Sequence, residues 1–395
     1  MLRIYLYLTF GWLVVSTIGI LGRKRRVGKL LLKASYVVFL LLFIEAISVL
    51  GFYVKTRRWT FQEQDNFARS MFEARPYMIG AGKPDAQITR NGIRYTHNSA
   101  GFRGKDFPTK SQKIRIVTIG GSTTYGVGVS DDDTWPAQLE HQLGNNYEVF
   151  NLGVPGHSTA EHIAMLSLTL PEYQPDILIM NVGLNDLRNL HVKNLKSDYS
   201  NYHAPMLFNS YGFCSASPLD RFASGKLAIW LLREIHVLRP CAFADFELEQ
   251  DSSHDNEEMT KRIYLRNLET LMAIAKYQGL KPILVPQVLV KERFQGGRLK
   301  WWIPLIEDDQ LIGYLNAFNS LTEEVAKKEG LIFVREISEQ TWTASDFVDP
   351  SHLSPDGNRK FAAILQRAVS NMKEQDYRTV AGKPSSISSQ NEVKP

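Results

Sequence analysis

Apolar positions along the chain fall into two regimes. The first 54 residues hold two nearly unbroken apolar stretches, 4–21 and 30–54, each close to the roughly 20 residues a helix needs to cross a hydrocarbon core. From Lys113 onward, short apolar runs alternate with longer stretches of helical period. The runs predict strands at 114–119, 148–151, 177–182, 282–286 and 331–334. The periodic stretches predict helices at 135–144, 159–171, 260–279, 309–330 and 355–373. Strands that are apolar throughout, each followed by a helix, describe a parallel sheet covered on both faces, a three-layer α/β domain. Ahead of it, short alternating runs flank Asn91-Gly92, the signature of a tight hairpin.

This patterning divides the chain into an anchor at 1–54, a linker and lead-in at 55–112, an α/β domain at 113–375 and a polar tail at 376–395 with a disordered composition. Two insertions break the alternation, at about 188–259 and 287–308. Both leave C-terminal ends of strands, where open α/β sheets place ligands. The first contains a helix-like piece at 226–238 and both cysteines, Cys214 and Cys241. A disulfide between them is permitted in an exported domain, and they lack the spacing of a metal site. The second insertion carries Trp301 and Trp302, suited to stacking on sugar faces or to packing.

Charge narrows the partners. The net charge is +5, but residues 1–60 hold ten Lys or Arg against a single acid, Glu45, which leaves the remainder of the chain near −4. A soluble domain of that sign lacks the basic footprint of a nucleic-acid binder. The basic run Arg23-Lys24-Arg25-Arg26, with Lys29, lies between the two apolar stretches and is expected to stay cytoplasmic. Either a two-helix hairpin or a single span then puts the large domain outside the cytoplasm, in the periplasm or at the surface of a bacterium. A cleavable signal peptide is the competing reading of the first stretch, although no small-residue cleavage pattern follows it. Glu45, inside the second stretch, is a costly residue there and calls for a partner, water or a proton.

Candidate chemistry sits at strand ends. GGSTTYG, Gly120 to Gly126, follows the first strand, and its glycines let the backbone turn sharply and lift Ser122 above the sheet edge. A simple strand-to-helix turn, a phosphate loop or a hydrolase elbow would each use such a segment. The phosphate loop lacks its Gly-Lys-Ser/Thr ending, and the elbow would want glycine where Thr124 stands. Near the other end, Asp349-Pro350-Ser351-His352 precedes the last helix. An acid three residues before a histidine can hold one ring nitrogen and leave the other for a hydroxyl. A helix-cap loop using Ser354 or Asp356, or a metal-ligand pair, would also fit that segment. Asn151-Leu152-Gly153 and Gly183-Leu184-Asn185-Asp186 follow the second and third strands. The Gly153 amide, the Asn185 side chain and the Ser122 amide would make a three-donor oxyanion hole.

These segments, in this order and strand context, resemble the four blocks of the SGNH (GDSL-like) hydrolases, named for Ser, Gly, Asn and His. The resemblance spans about 113–373. It implies a flavodoxin-like sheet of order 2-1-3-4-5, ester chemistry through a triad of Ser122, His352 and Asp349, an oxyanion hole of Ser122, Gly153 and Asn185, and no metal or other cofactor. Gly121 departs from the pattern, standing where the GDSL form has aspartate. The lead-in Asn98-Ser99-Ala100-Gly101-Phe102-Arg103-Gly104 is similar to stretches preceding the domain in bacterial membrane-bound members, with Arg103 expected to serve a structural turn.

The function expected is a membrane-anchored extracytoplasmic esterase removing O-acyl groups, acetyl first, from cell-surface or exported glycans. Three alternatives stay open: a polysaccharide O-acetyltransferase served by a membrane acyl-donor partner, a lysophospholipase or other lipid esterase, and a non-catalytic membrane scaffold.

Overall fold

The computed structural model describes residues 2–56, 67–75, 78–107, 112–192, 194–200, 222–225, 227–228, 256–294 and 308–372. Cys214, Cys241, Trp301, Trp302 and the tail lie outside them, as does most of the helix expected at 226–238. The chain forms two compact units: Met1–Phe67 with Gly212–Ala242, and Ala68–Tyr211 with Phe243–Pro395.

In the first unit, α1 (Leu2–Leu21) and α2 (Arg26–Thr56) pack side by side. Small residues let them approach: Ser16 Oγ lies 2.5 Å from Ser35 Oγ, and the Leu32 side chain is 3.1 Å from where a β-carbon on Gly19 would sit. Small contacts and interhelical hydrogen bonds of this sort hold helices together where the hydrophobic effect cannot. Among the described residues, one helix is long and apolar enough to cross a membrane, over Arg26–Gly51, while the apolar stretch Leu6–Leu21 of α1 is shorter. Glu45 of α2 is buried and has found a partner in the same unit: its carboxylate accepts the amides of Ala223 at 2.6 Å and Ser224 at 2.9 Å, and the Ser224 hydroxyl.

The second unit opens at Ala68, within α3 (Phe67–Met71), and continues with two antiparallel pairs, β1 (Phe72–Arg75) with β2 (Met78–Gly82), and β3 (Gln87–Arg90) with β4 (Ile93–Thr96). Asn91 and Gly92 join β3 to β4 with φ of 52° and 79°, the left-handed pair that a two-residue hairpin turn requires.

Five parallel strands follow: β5 (Ile114–Gly120), β6 (Tyr147–Asn151), β7 (Ile177–Asn181), β8 (Ile283–Leu284) and β9 (Ile332–Phe333). They are ordered β6-β5-β7-β8-β9, which is 2-1-3-4-5. Between and after them run α4 (Ser122–Tyr125), α5 (Trp135–Leu143), α6 (Thr159–Leu168), α7 (Glu257–Tyr277), α8 (Asp308–Glu329), α9 (Glu336–Glu339) and α10 (Pro355–Ser370). α5 packs on α10, while α6 packs on α7 and α7 on α8. All five residues of β7 are buried, as a central strand covered on both faces demands. One face of the sheet joins Ile116, Ile177, Ile179 and Ile283 to Trp135 of α5 and Phe361 of α10 in a single apolar cluster.

Candidate active site

The sheet order places β5 inside the sheet, between β6 and β7, and its C-terminal end delivers the segment that carries Ser122. β5 stops at Gly120, Gly121 turns the chain, and α4 begins at Ser122. Gly126 then ends this four-residue helix with φ of 82°, a left-handed conformation glycine adopts without strain. Ser122, Thr123 and Thr124 are therefore first-turn residues, whose amides have no partner four residues back.

The last loop comes to meet it. Val348 donates its amide to the His352 carbonyl at 2.8 Å, and Val290 donates to the Pro350 carbonyl at 3.0 Å. Ser354 caps α10 by accepting the Gly357 amide at 3.2 Å, with Pro355 in the first turn. The capping role and the proposed catalytic role thus coexist in one loop. Within it, Asp349 Oδ1 accepts the Ser351 and His352 amides, each at 2.9 Å. Asp349 Oδ2 lies 2.6 Å from His352 Nδ1. The other ring nitrogen, Nε2, lies 2.7 Å from Ser122 Oγ across 230 residues of sequence. A carboxylate can only accept, so His352 Nδ1 carries the proton and Nε2 presents its lone pair to the Ser122 hydroxyl. Burial works to raise the Asp349 carboxyl, but the His352 hydrogen bond and charge and the two amides outweigh it and hold it below the usual aspartate value.

Asn185 and Gly153 flank Ser122. Asn185 Nδ2 donates to the His157 carbonyl at 2.9 Å, which uses one of its two hydrogens and fixes the direction of the other. It packs directly over Gly121: a β-carbon there would lie 2.4 Å from Asn185 Nδ2. Gly153 presses on α4 so closely that a β-carbon would meet the Tyr125 nitrogen at 2.4 Å. Its amide donates to Asn151 Oδ1 at 2.9 Å, so an oxyanion would have to share that hydrogen. The structure therefore brings Ser122, His352, Asp349, Asn185 and Gly153 to one sheet end.

Supporting residues surround them. Asn151 Nδ2 donates to the Thr124 carbonyl at 2.8 Å, tying the end of β6 to α4. Asp186, fully buried beside Asn185, accepts the Thr159 amide at 3.2 Å and its hydroxyl at 2.5 Å, and Asn267 of α7 donates to that same hydroxyl at 2.8 Å. Arg103 differs from expectation. The turn is made by Gly101 and Gly104, with φ of 86° and 93°, whereas the Arg103 side chain runs inward, 1% exposed, and bonds to the loop that carries Ser122.

Residues 118–212 match the GDSL-like Lipase/Acylhydrolase family. The chain is 28% identical over 90 residues to an arylesterase of Vibrio mimicus, an overlap of 22% of this chain and 45% of that relative, so it spans less than half the relative's length. Among solved structures, it is similar to a GDSL-like lipase of Bacteroides thetaiotaomicron, with 14% identity, a TM-score of 0.39 and coverage of 66% of this chain and 92% of that one. A second is an acetylxylan esterase of Geobacillus stearothermophilus, with 13% identity, a TM-score of 0.38 and coverage of 66% and 96%.

Proposed function

We propose that this chain, which carries a GDSL-like lipase/acylhydrolase domain, is a membrane-anchored extracytoplasmic serine esterase that removes O-acyl groups, acetyl first, from cell-surface or exported glycans. The observation that carries the ester chemistry is the continuous run of hydrogen bonds from Ser122 Oγ through His352 to Asp349, at 2.7 and 2.6 Å.

His352 Nε2 takes the Ser122 proton as Oγ attacks the ester carbonyl carbon, and Asp349 steadies the imidazolium that results. The carbonyl oxygen becomes an oxyanion, received by the Ser122 and Gly153 amides and Asn185 Nδ2. Each donor aimed at that oxygen is worth about 3 kcal/mol of transition-state stabilisation. The tetrahedral intermediate collapses by expelling the alcohol, which takes its proton from His352. Water, deprotonated by His352, then attacks the acyl-serine and releases the carboxylic acid. A sugar hydroxyl in place of that water would make the same site an O-acyltransferase. Membrane placement rests on α2, and its orientation on the basic run at Arg23-Lys24-Arg25-Arg26.

A second reading has its own observation. Residues 223 and 224 of the first insertion bond to Glu45 of the anchor helix within one compact unit, and an esterase whose insertion is built into its anchor also suits a lipid ester. Turnover by the purified full chain in detergent separates these readings. Ser122-dependent release of acetate from an acetylated oligosaccharide supports the glycan esterase. Preference for a lysophospholipid by more than tenfold in kcat/KM supports the lipid esterase. Hydrolysis that survives Ser122→Ala overturns both.

A further inference from the structure

The Arg103 guanidinium reaches the nucleophile segment from the lead-in, and all five of its N–H donors have acceptors. Nη1 donates to the carbonyls of Tyr125 at 3.0 Å and Gly126 at 2.7 Å. Nη2 donates to Val129 at 2.7 Å and Arg94 at 3.3 Å, and Nε donates to Asp131 Oδ1 at 2.8 Å. Its central carbon lies 4.4 Å from the ring centre of Tyr95 and 4.7 Å from that of Tyr125, two rings that stack nearly parallel to each other. Asp131 is held in turn by the Thr96 amide at 3.1 Å and hydroxyl at 2.7 Å. The planar fork is thus packed against two aromatic rings and held along its edges.

What it grips is the carbonyl end of α4. A four-residue helix has too few internal hydrogen bonds to hold itself, so its geometry is set by what collects its terminal carbonyls. Asn151 takes Thr124, and Arg103 takes Tyr125 and Gly126. A cation at this end also favours the helical dipole. We propose that Arg103 is a positioning residue for ester cleavage: it locks α4 so that Ser122 Oγ stays within reach of His352 and the Ser122 amide stays aimed at the oxyanion. This rests on the serine-esterase reading above. Lysine cannot substitute, because its three donors radiate from one point and cannot serve acceptors spread along a plane.

The test compares Arg103→Lys with the unaltered full chain, measuring p-nitrophenyl acetate turnover, the rate at which a fluorophosphonate labels Ser122, and backbone hydrogen exchange. Expected are a kcat lower by about tenfold or more with KM within twofold, a matching slowing of labelling, and faster exchange at residues 122–129 with β5 and β7 unchanged, because a misplacement of order 1 Å costs this much or more. A folded Arg103→Lys protein with kcat and labelling within twofold of the parent overturns the proposal, as does faster exchange spread through the whole sheet. Should that variant not fold, Asp131→Asn keeps the carbonyl contacts while removing the counter-charge, and a severalfold loss of kcat at constant KM is expected; no change counts against the role. If the unaltered protein cleaves no ester through Ser122, the hydrolase reading itself fails. Exchange at 122–129 then decides alone whether Arg103 locks α4.

Discussion

Asn185 Nδ2 fills the space a side chain at position 121 would need: a β-carbon on Gly121 would sit 2.4 Å from it. The atom that would have to give way is the far end of a side chain rather than backbone, so the fold can absorb a methyl group there while the proposed oxyanion donor cannot keep its place. Gly121→Ala is expected to lower kcat by about a hundredfold, in the range for losing one oxyanion donor, with the unfolding midpoint within a few degrees of the parent. Asn185→Ala should match it, and the double variant should be no worse than either. Additive losses would show that Gly121 acts by another route.

Asp349→Asn retains the shape of the acid but can present its amide to His352 Nδ1, reversing the tautomer that leaves Nε2 open. A kcat reduced by about 10⁴-fold is expected, with binding largely preserved. The check is single-turnover acylation of Ser122, and acylation within tenfold of the parent would remove Asp349 from the triad.

Stability should fall in mildly acidic solution. Burial pulls both His97 and His162 down from 6.5 to about 4. Between those values the unfolded chain binds protons that the folded one refuses. Their contribution, on the order of 3 kcal/mol each, is therefore complete above pH 6.5 and lost progressively toward pH 4. Asp349 acts lower still: with its folded value held below 3.8, its contribution is complete above 3.8 and disappears as pH falls through the folded value. Unfolding midpoints of His162→Asn should depend more weakly on pH between 4 and 6.5 than those of the parent. An unchanged slope would contradict the assignment.

Glu45→Ala removes the acceptor of the Ala223 and Ser224 amides. Leaving buried donors unpaired costs about 1–3 kcal/mol each. Limited proteolysis of the full chain in detergent should then cut more readily beside Ala223 and Ser224, while Glu45→Gln, which keeps one acceptor oxygen, should fall between. Equal cutting of all three proteins would mean that the contact contributes nothing to holding that segment.

The sheet was legible from apolar runs because each central strand is buried on both faces, yet the runs overstate the last two strands, β8 and β9. The run at 282–286 yields a ladder of only Ile283–Leu284, although Val285 is buried and its amide still donates to Met180. Apolar sequence reports burial, and burial outlasts the strand pairing. At the site, Ser122, Gly153, Asn185, Asp349 and His352 each stand in a short contiguous segment whose residue types bespeak their chemistry. Arg103 was hidden because its partners are mainly backbone carbonyls 22 to 26 residues away, and carbonyls leave no trace in side-chain identity. Asn151 was hidden for the same reason, since its contact is with the Thr124 carbonyl.

The 230 residues between Ser122 and His352 also set a timetable. At a synthesis rate of about 5–20 residues per second, the Ser122 segment is made on the order of ten seconds or more before the proposed base, His352. Through that interval Ser122 is an ordinary alcohol, and the growing chain is chemically silent. Arrest of translation before Asp349 should yield a nascent chain that fluorophosphonate does not label, whereas completion through α10 should switch labelling on.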